Sequence, residues 1–183
     1  LHDITTTLPK GRLTALIGTN GAGKSTLLRL IGRLEPLQRG RVTVAGHDVT
    51  TTPTDRLAQV MAILGQQTAI ASRLRLSELV AFGRWPHHKG RPGPQDHALV
   101  WLALKTFALT DLADRPATAL SAGQKRRLGL ARLLVTGRPA WVLDEPTVSL
   151  DAASVALFAD AVRAHLAGGG AALMAPHINL SLP

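Results

Sequence analysis

The run Gly18-Thr19-Asn20-Gly21-Ala22-Gly23-Lys24-Ser25 combines glycines, a lysine and a hydroxyl at a spacing that holds phosphate. Its G-x-x-x-x-G-K-S pattern lets the backbone curl until successive N–H groups face an anion, with Lys24 reaching the outer phosphates and Ser25 serving magnesium. The apolar run Leu13 to Ile17 precedes the loop and Thr26 to Ile31 follows it, so the loop lies where a strand becomes a helix. The helix dipole beginning near Gly23 adds positive potential at that point. Much later, Trp141-Val142-Leu143-Asp144-Glu145 is apolar up to two carboxylates, as a buried parallel strand is when it delivers acids to the carboxyl edge of a sheet. There Asp144 would hold magnesium through water. Glu145, one residue on and facing elsewhere, would orient or deprotonate an attacking water. The chemistry is hydrolysis of a nucleoside triphosphate.

Leu120-Ser121-Ala122-Gly123-Gln124 opens a predicted helix running through Arg126, Leu130 and Leu133, so its free N–H groups and dipole point at whatever lies before it. Ser121 can equally be a plain N-cap, and one serine can do both.

In this order the segments resemble the nucleotide-binding subunits of ABC transporters, and the resemblance covers nearly the whole chain. Gly18 to Ser25, continued by Thr26, looks like the Walker A loop, and Leu143-Asp144-Glu145 like Walker B with its catalytic glutamate. Leu120 to Gln124 looks like the family signature, Ser149-Leu150-Asp151 like the D-loop, Gln66 like the glutamine of the glutamine loop, and His177 like the switch histidine. The resemblance implies ATP and Mg2+ as ligands. Ser25, Gln66 and Asp144 would serve the metal, Glu145, Gln66 and His177 the reaction. Ser121, Ala122, Gly123 and Gln124 would face the gamma-phosphate bound by a second copy, with Asp151 nearby. It further implies a homodimer of ATPase subunits held by transmembrane permease subunits at the cytoplasmic face of the bacterial inner membrane. For an importer, a periplasmic substrate-binding protein would join them.

Three positions depart from the family pattern. Thr19 replaces the usual proline, harmlessly where the cradle uses backbone. Ala122 replaces the second signature glycine and restricts close approach of nucleotide. Pro176, immediately before His177, removes an N–H and biases Ala175 toward extended geometry, which could misaim the imidazole and slow turnover. A nucleotide-binding module with little turnover therefore stands as a reading from another class.

At 183 residues and 45% hydrophobic, the chain can bury one core and a small appended subdomain. With no cysteine, disulfides and thiolate metal sites are excluded. No apolar run approaches the roughly 20 residues that span a bilayer, so any membrane role is expected to be peripheral. The formal charge of +9 raises nucleic acid as a partner, but the charges are scattered. Lys125-Arg126-Arg127, the one tight cluster, reads as a solvated helix face. With aromatics at 3% and no tyrosine, platforms for base stacking are not expected, and nucleic acid is set aside.

The fold class expected is α/β: a RecA-like P-loop NTPase core with an inserted helical subdomain over about 72–118 and a small antiparallel β part. A hairpin is predicted where Arg41 to Val44 meets the Gly46 turn. Ser77 and Glu78 open a helix through Trp85, Pro86 to Pro94 reads as a basic loop, and Gln95 to Phe107 as an amphipathic helix. Strand Ala140 to Leu143, helix Asp151 to Leu166 and strand Ala171 to Met174 follow, the helix carrying Val155, Phe158, Val162 and Leu166 as a buried stripe. The whole, 1–183, is expected to be one ABC ATPase domain truncated at its N-terminus, where the family's first strand and adenine-stacking aromatic would lie, and short at its C-terminus as well.

Cargo is read two ways. Leu74 to Pro94, with Leu79-Val80-Ala81-Phe82-Gly83-Arg84 and Lys89-Gly90-Arg91-Pro92, resembles ATPases of iron-siderophore and heme importers. Leu120 to Val135 and Trp141 to Pro183 resemble the heme-exporter ATPase of cytochrome c maturation. In this family the permease docks beside the glutamine loop and helical subdomain, so the importer-like half favours iron-siderophore import, with heme export as the alternative.

Overall fold

The computed structural model describes residues 4–66 and 74–176. It divides into two compact units: one comprising residues up to Gly65, Arg138–Pro146 and the chain from Val162 onward, the other Gln66–Gly137 and Thr147–Ala161.

The first unit is built on a four-stranded sheet. Its strands β1 (Leu13–Ala15), β4 (Met61–Leu64), β5 (Ala140–Asp144) and β6 (Ala171–Ala175) lie in the order β1-β6-β5-β4, every pair parallel. Parallel neighbours require crossover connections, so all carboxyl ends fall on one edge. β1 is an edge strand and ends at Ala15, two residues short of the apolar run; Leu13 and Ile17 are 40% and 67% exposed. Helix α1 (Lys24–Ile31) follows β1. A hairpin of β2 (Thr43–Val44) and β3 (His47–Asp48) turns at Ala45 and Gly46, with φ of 50° and 82°. Positive φ at both central residues is the turn whose twist matches paired strands. Helix α2 (Thr54–Val60) leads directly into β4. Leu28, Val49, Leu57, Met61, Val142, Leu173 and Ala175 form the core of this unit, with Val42 and Val44 of the hairpin segment packed on it. The small antiparallel part is thereby anchored to the main sheet by burial rather than by strand pairing.

The second unit is helical. Helices α3 (Leu76–Ala81), α5 (Pro94–Thr106) and α6 (Ala122–Val135) pack on one another, burying Leu76, Val80, Leu104, Phe107, Leu128 and Leu130. α3 begins one residue before Ser77: the Glu78 carboxylate accepts from the N–H of Arg75 at 2.7 Å, the N3-to-N-cap half of a capping box. A 3-10 turn at Phe82–Arg84 follows. Gly83 permits close crossing with α6, since a β-carbon there would stand 2.5 Å from Val135 Cγ1 and 2.9 Å from the Arg132 carbonyl. Helix α4 (Trp85–His88) takes in the first three residues of the segment Pro86 to Pro94, read as loop, because Pro86 sits in a first turn where no N–H is needed. α5 is less amphipathic than its pattern predicts. Ala103, Leu104 and Phe107 are buried, yet Trp101 and Leu102 are 56% and 55% exposed. Helix α7 (Ala152–Ala167), whose residues from Val162 onward belong to the first unit, buries Ser154, Phe158, Ala161 and Val162 and leaves Val155 and Leu166 half-buried.

Candidate active site

The loop between β1 and α1 enters the helix through Gly23 at φ 87°, with Gly21 at φ 81°, a left-handed conformation that glycine adopts without penalty. Between them the N–H of Ala22 bonds the Thr19 carbonyl at 3.3 Å. No side chain caps α1 and no acid lies in its first turn. An anion would meet the positive end of the dipole with no competing carboxylate on the helix. Lys24 is folded back, its Nζ donating to the carbonyls of Gly18 at 2.7 Å and Thr19 at 2.8 Å. Thr26, in the same first turn, is exposed.

Because β6 lies between β1 and β5, the loop after β1 and the end of β5 open onto one sheet edge. Ser25 Oγ donates to Asp144 Oδ1 at 3.2 Å, joining the two motifs that are distant in sequence. Asp144 is 8% exposed. A hydroxyl and a carboxylate oxygen this close are donors of the type magnesium prefers and could take two positions around such a cation. No cluster of three or more His, Cys, Asp and Glu suited to a metal occurs among the described residues, so the remaining positions would fall to water and phosphate. Glu145 is half-buried at φ 46°, uncommon for a non-glycine residue, and its N–H donates to the Ala175 carbonyl at 2.9 Å. The left-handed step falls immediately after Asp144, the last residue of β5. Pro176 follows the last register pairs of β6, Met174 with Ala15 and Ala175 with Asp144, and its nitrogen has no hydrogen to carry the β1 ladder beyond the bond from the Leu16 N–H to the Met174 carbonyl.

Within the helical unit, Ser121 is the N-cap of α6 in a complete capping box. Its Oγ accepts from the Gln124 N–H at 3.2 Å, and Gln124 Oε1 accepts from the Ser121 N–H at 2.9 Å. Ala122 is exposed in the first turn, and its methyl obstructs nothing inside the chain. Gly123 has a packing reason of its own: a β-carbon there would lie 3.1 Å from the Ser149 carbonyl. Ser149 itself has φ 65°. Asp151 accepts from the Ser154 N–H at 2.7 Å at the head of α7, and its hydrogen bonds with Ser154 hold its carboxyl below the usual aspartate range. Gln66 is exposed, and its carbonyl accepts from Arg126. His177 lies outside the described residues.

Arg126 corrects the expectation of a solvated basic face, being only 5% exposed. Its spacing to Leu130 and Leu133, four and seven residues on, was the available signal, since it places Arg126 on the apolar stripe of α6.

A sequence profile described as ABC transporter matches residues 1–148. The chain is 50% identical over 182 residues to the cytochrome c biogenesis ATP-binding export protein CcmA of Ruegeria pomeroyi, covering 100% of this chain and 79% of that protein. It is 39% identical over 155 residues to the iron(3+)-hydroxamate import ATP-binding protein FhuC of Bacillus subtilis, covering 84% of this chain and 58% of that one. In structure it resembles the dimeric, post-hydrolysis ATP-binding cassette MJ0796 bound to ADP and Pi, with TM-score 0.83 at 23% identity, over 94% of this chain and 78% of that one.

Proposed function

This chain belongs to the ABC transporter family of ATP-hydrolysing subunits, and we propose that it powers an exporter in cytochrome c biogenesis with heme as cargo. The observation that carries the hydrolytic part is the meeting of Ser25 and Asp144 beside an uncapped helix N-terminus. Whole-chain similarity at 50% identity to an export protein of cytochrome c biogenesis supports the cargo, against 39% over a shorter span for the importer. That balance favours export over the import reading drawn from Leu74 to Pro94. The import reading keeps one support, the similarity to a hydroxamate-import ATPase.

Ser25, Asp144 and Gln66 would hold magnesium, which when bound neutralises charge on the beta- and gamma-phosphates. The loop N–H groups from Gly21 to Ser25 bind the phosphate oxygens. Lys24 exchanges its two carbonyl partners for phosphate oxygens, and Glu145 accepts the proton of the attacking water. His177 contributes charge stabilisation at the gamma-phosphate.

The working unit is a homodimer in which Ser121 to Gln124 and Asp151 of each copy complete the site of the other. The chain acts as a peripheral subunit on the cytoplasmic face of the inner membrane, held by permease subunits. No helix among the described residues is long and apolar enough to cross a membrane. The helical subdomain, about 72–118 within one ATPase domain, is the part that meets the permease.

Glu145→Gln in the assembled transporter tests the hydrolytic reading: turnover should be lost while ATP binding persists. Parental turnover would overturn the role of Glu145. Cells lacking the gene should lose covalently assembled c-type cytochromes and still grow on ferric hydroxamate; the reverse pattern selects import.

A further inference from the structure

Gln66 is the first residue of the helical unit, directly after the strand unit ends at Gly65. The chain crosses there from one compact body to the other, and the physical question is which body holds it. Arg126 Nη1 donates to the Gln66 main-chain carbonyl at 3.3 Å, from a side chain only 5% exposed. Arginine carries five donors in a fixed planar fork and is seldom buried. A buried guanidinium on a rigid helix is a stiff clamp, since moving it would strand its donors away from water. The same end of α6 carries the Ser121–Gln124 capping box, and its Gly123 lies against the Ser149 carbonyl.

We infer that Arg126 is a positioning residue for Gln66: it fastens the main chain at the crossing point to the helix that begins with the signature, so that Gln66, Ser121 and Ser149 move as one body. Arg126 touches neither nucleotide nor metal in this assignment and acts only through the placement of Gln66. The assignment rests on the proposed ATPase reading, in which Gln66 serves magnesium or the attacking water.

The test is a double-mutant cycle with the complete subunit in its assembled transporter, reading ATP turnover, KM for ATP and the Mg2+ concentration that half-saturates turnover. Arg126→Gln should lower kcat at least about 10-fold with KM within about 2-fold, and should raise the Mg2+ requirement, the pattern of a lost arrangement rather than lost substrate binding. Combined with Gln66→Ala, it should add little further loss, because both changes remove one function. Arg126→Lys, which keeps the cation but not the planar fork, should fall between, and it carries the same cycle if Arg126→Gln does not fold. Parental kcat in both Arg126 variants, or losses that simply multiply with that of Gln66→Ala, would overturn the inference. A parent that binds and hydrolyses no ATP would instead sink the ATPase reading.

Discussion

Lys24 starts from a folded-back state, with two carbonyl partners at 2.7 and 2.8 Å that must be released before its ammonium can meet a phosphate. Part of its attraction to nucleotide therefore only replaces bonds already present. Lys24→Ala should weaken ATP binding by roughly 10- to 100-fold, the span of a hydrogen bond to a charged group, measurable by calorimetric titration; unchanged affinity would remove Lys24 from the cradle. A second residue-scale prediction concerns His165, whose ring stacks on Trp141 with centroids 3.8 Å apart and planes 4° from parallel. A β-carbon at Gly170 would overlap this imidazole, so glycine there makes room for the stack. Burial lowers the pKa of His165 from the ordinary 6.5, opposed by the hydrogen bond to the Ala171 carbonyl. Protonation is then easier in the unfolded chain, so this contribution to stability is complete above pH 6.5 and is lost as pH falls through the lower folded-state value. The thermal midpoint should drop on acidification below that pH. His165→Phe, which keeps a stacked ring without a titrating group, should flatten the dependence, and an equally steep profile in the variant would place the acid sensitivity elsewhere.

Among the elements, the crossing of the 3-10 turn with α6 depends on one missing methyl. Gly83→Ala would put a β-carbon 2.5 Å from Val135 Cγ1 and 2.9 Å from a backbone oxygen that cannot yield. It should destabilise by about 1–3 kcal/mol, the range for overpacking, read as a lower denaturant midpoint at constant slope. Ser121→Ala should cost about 1 kcal/mol through loss of the cap. How far these elements were legible follows from what fixes each one. The phosphate loop, Asp144 and the Ser121 cap could be read because their chemistry dictates residue type at fixed spacing. The hairpin turn at Gly46 was legible for the same reason. Helix α4 was not, since Pro86 and the basic residues around it have the composition of a loop, and only its first-turn position makes the proline compatible with helix. Helix α2 and strand β4 went unread within a stretch of short apolar runs, where periodicity over so few residues cannot separate the two. The left-handed backbone of Glu145 is held against a distant partner, the Ala175 carbonyl, and no local pattern encodes it, whereas the burial of Arg126 shows in sequence only through its spacing to Leu130 and Leu133.

For the whole molecule, the capping box leaves Ser121 and Gln124 satisfied inside their own chain, so the signature helix needs no nucleotide in order to fold. Its end is thus formed without a ligand, and on the proposed dimeric reading it would meet the nucleotide of a second copy. Cis and trans arrangements differ in a way that mixing can expose. Take two variants on a Glu145→Gln background, which on the proposed role of Glu145 should hold ATP without turnover: one with Lys24→Ala, the other with Ser121→Arg. Alone, each would give a symmetric pair in which both sites are damaged, and neither should form a stable dimer with ATP. Mixed, the pair contains one site with an intact Lys24 from one copy and an intact Ser121 from the other, because a two-fold interface uses the same patches on both. An ATP-dependent particle of twice the protomer mass should then appear in light scattering only in the mixture. If each chain instead closed its own signature over its own phosphate loop, mixing would restore nothing, and the mixture would remain as monomeric as its components.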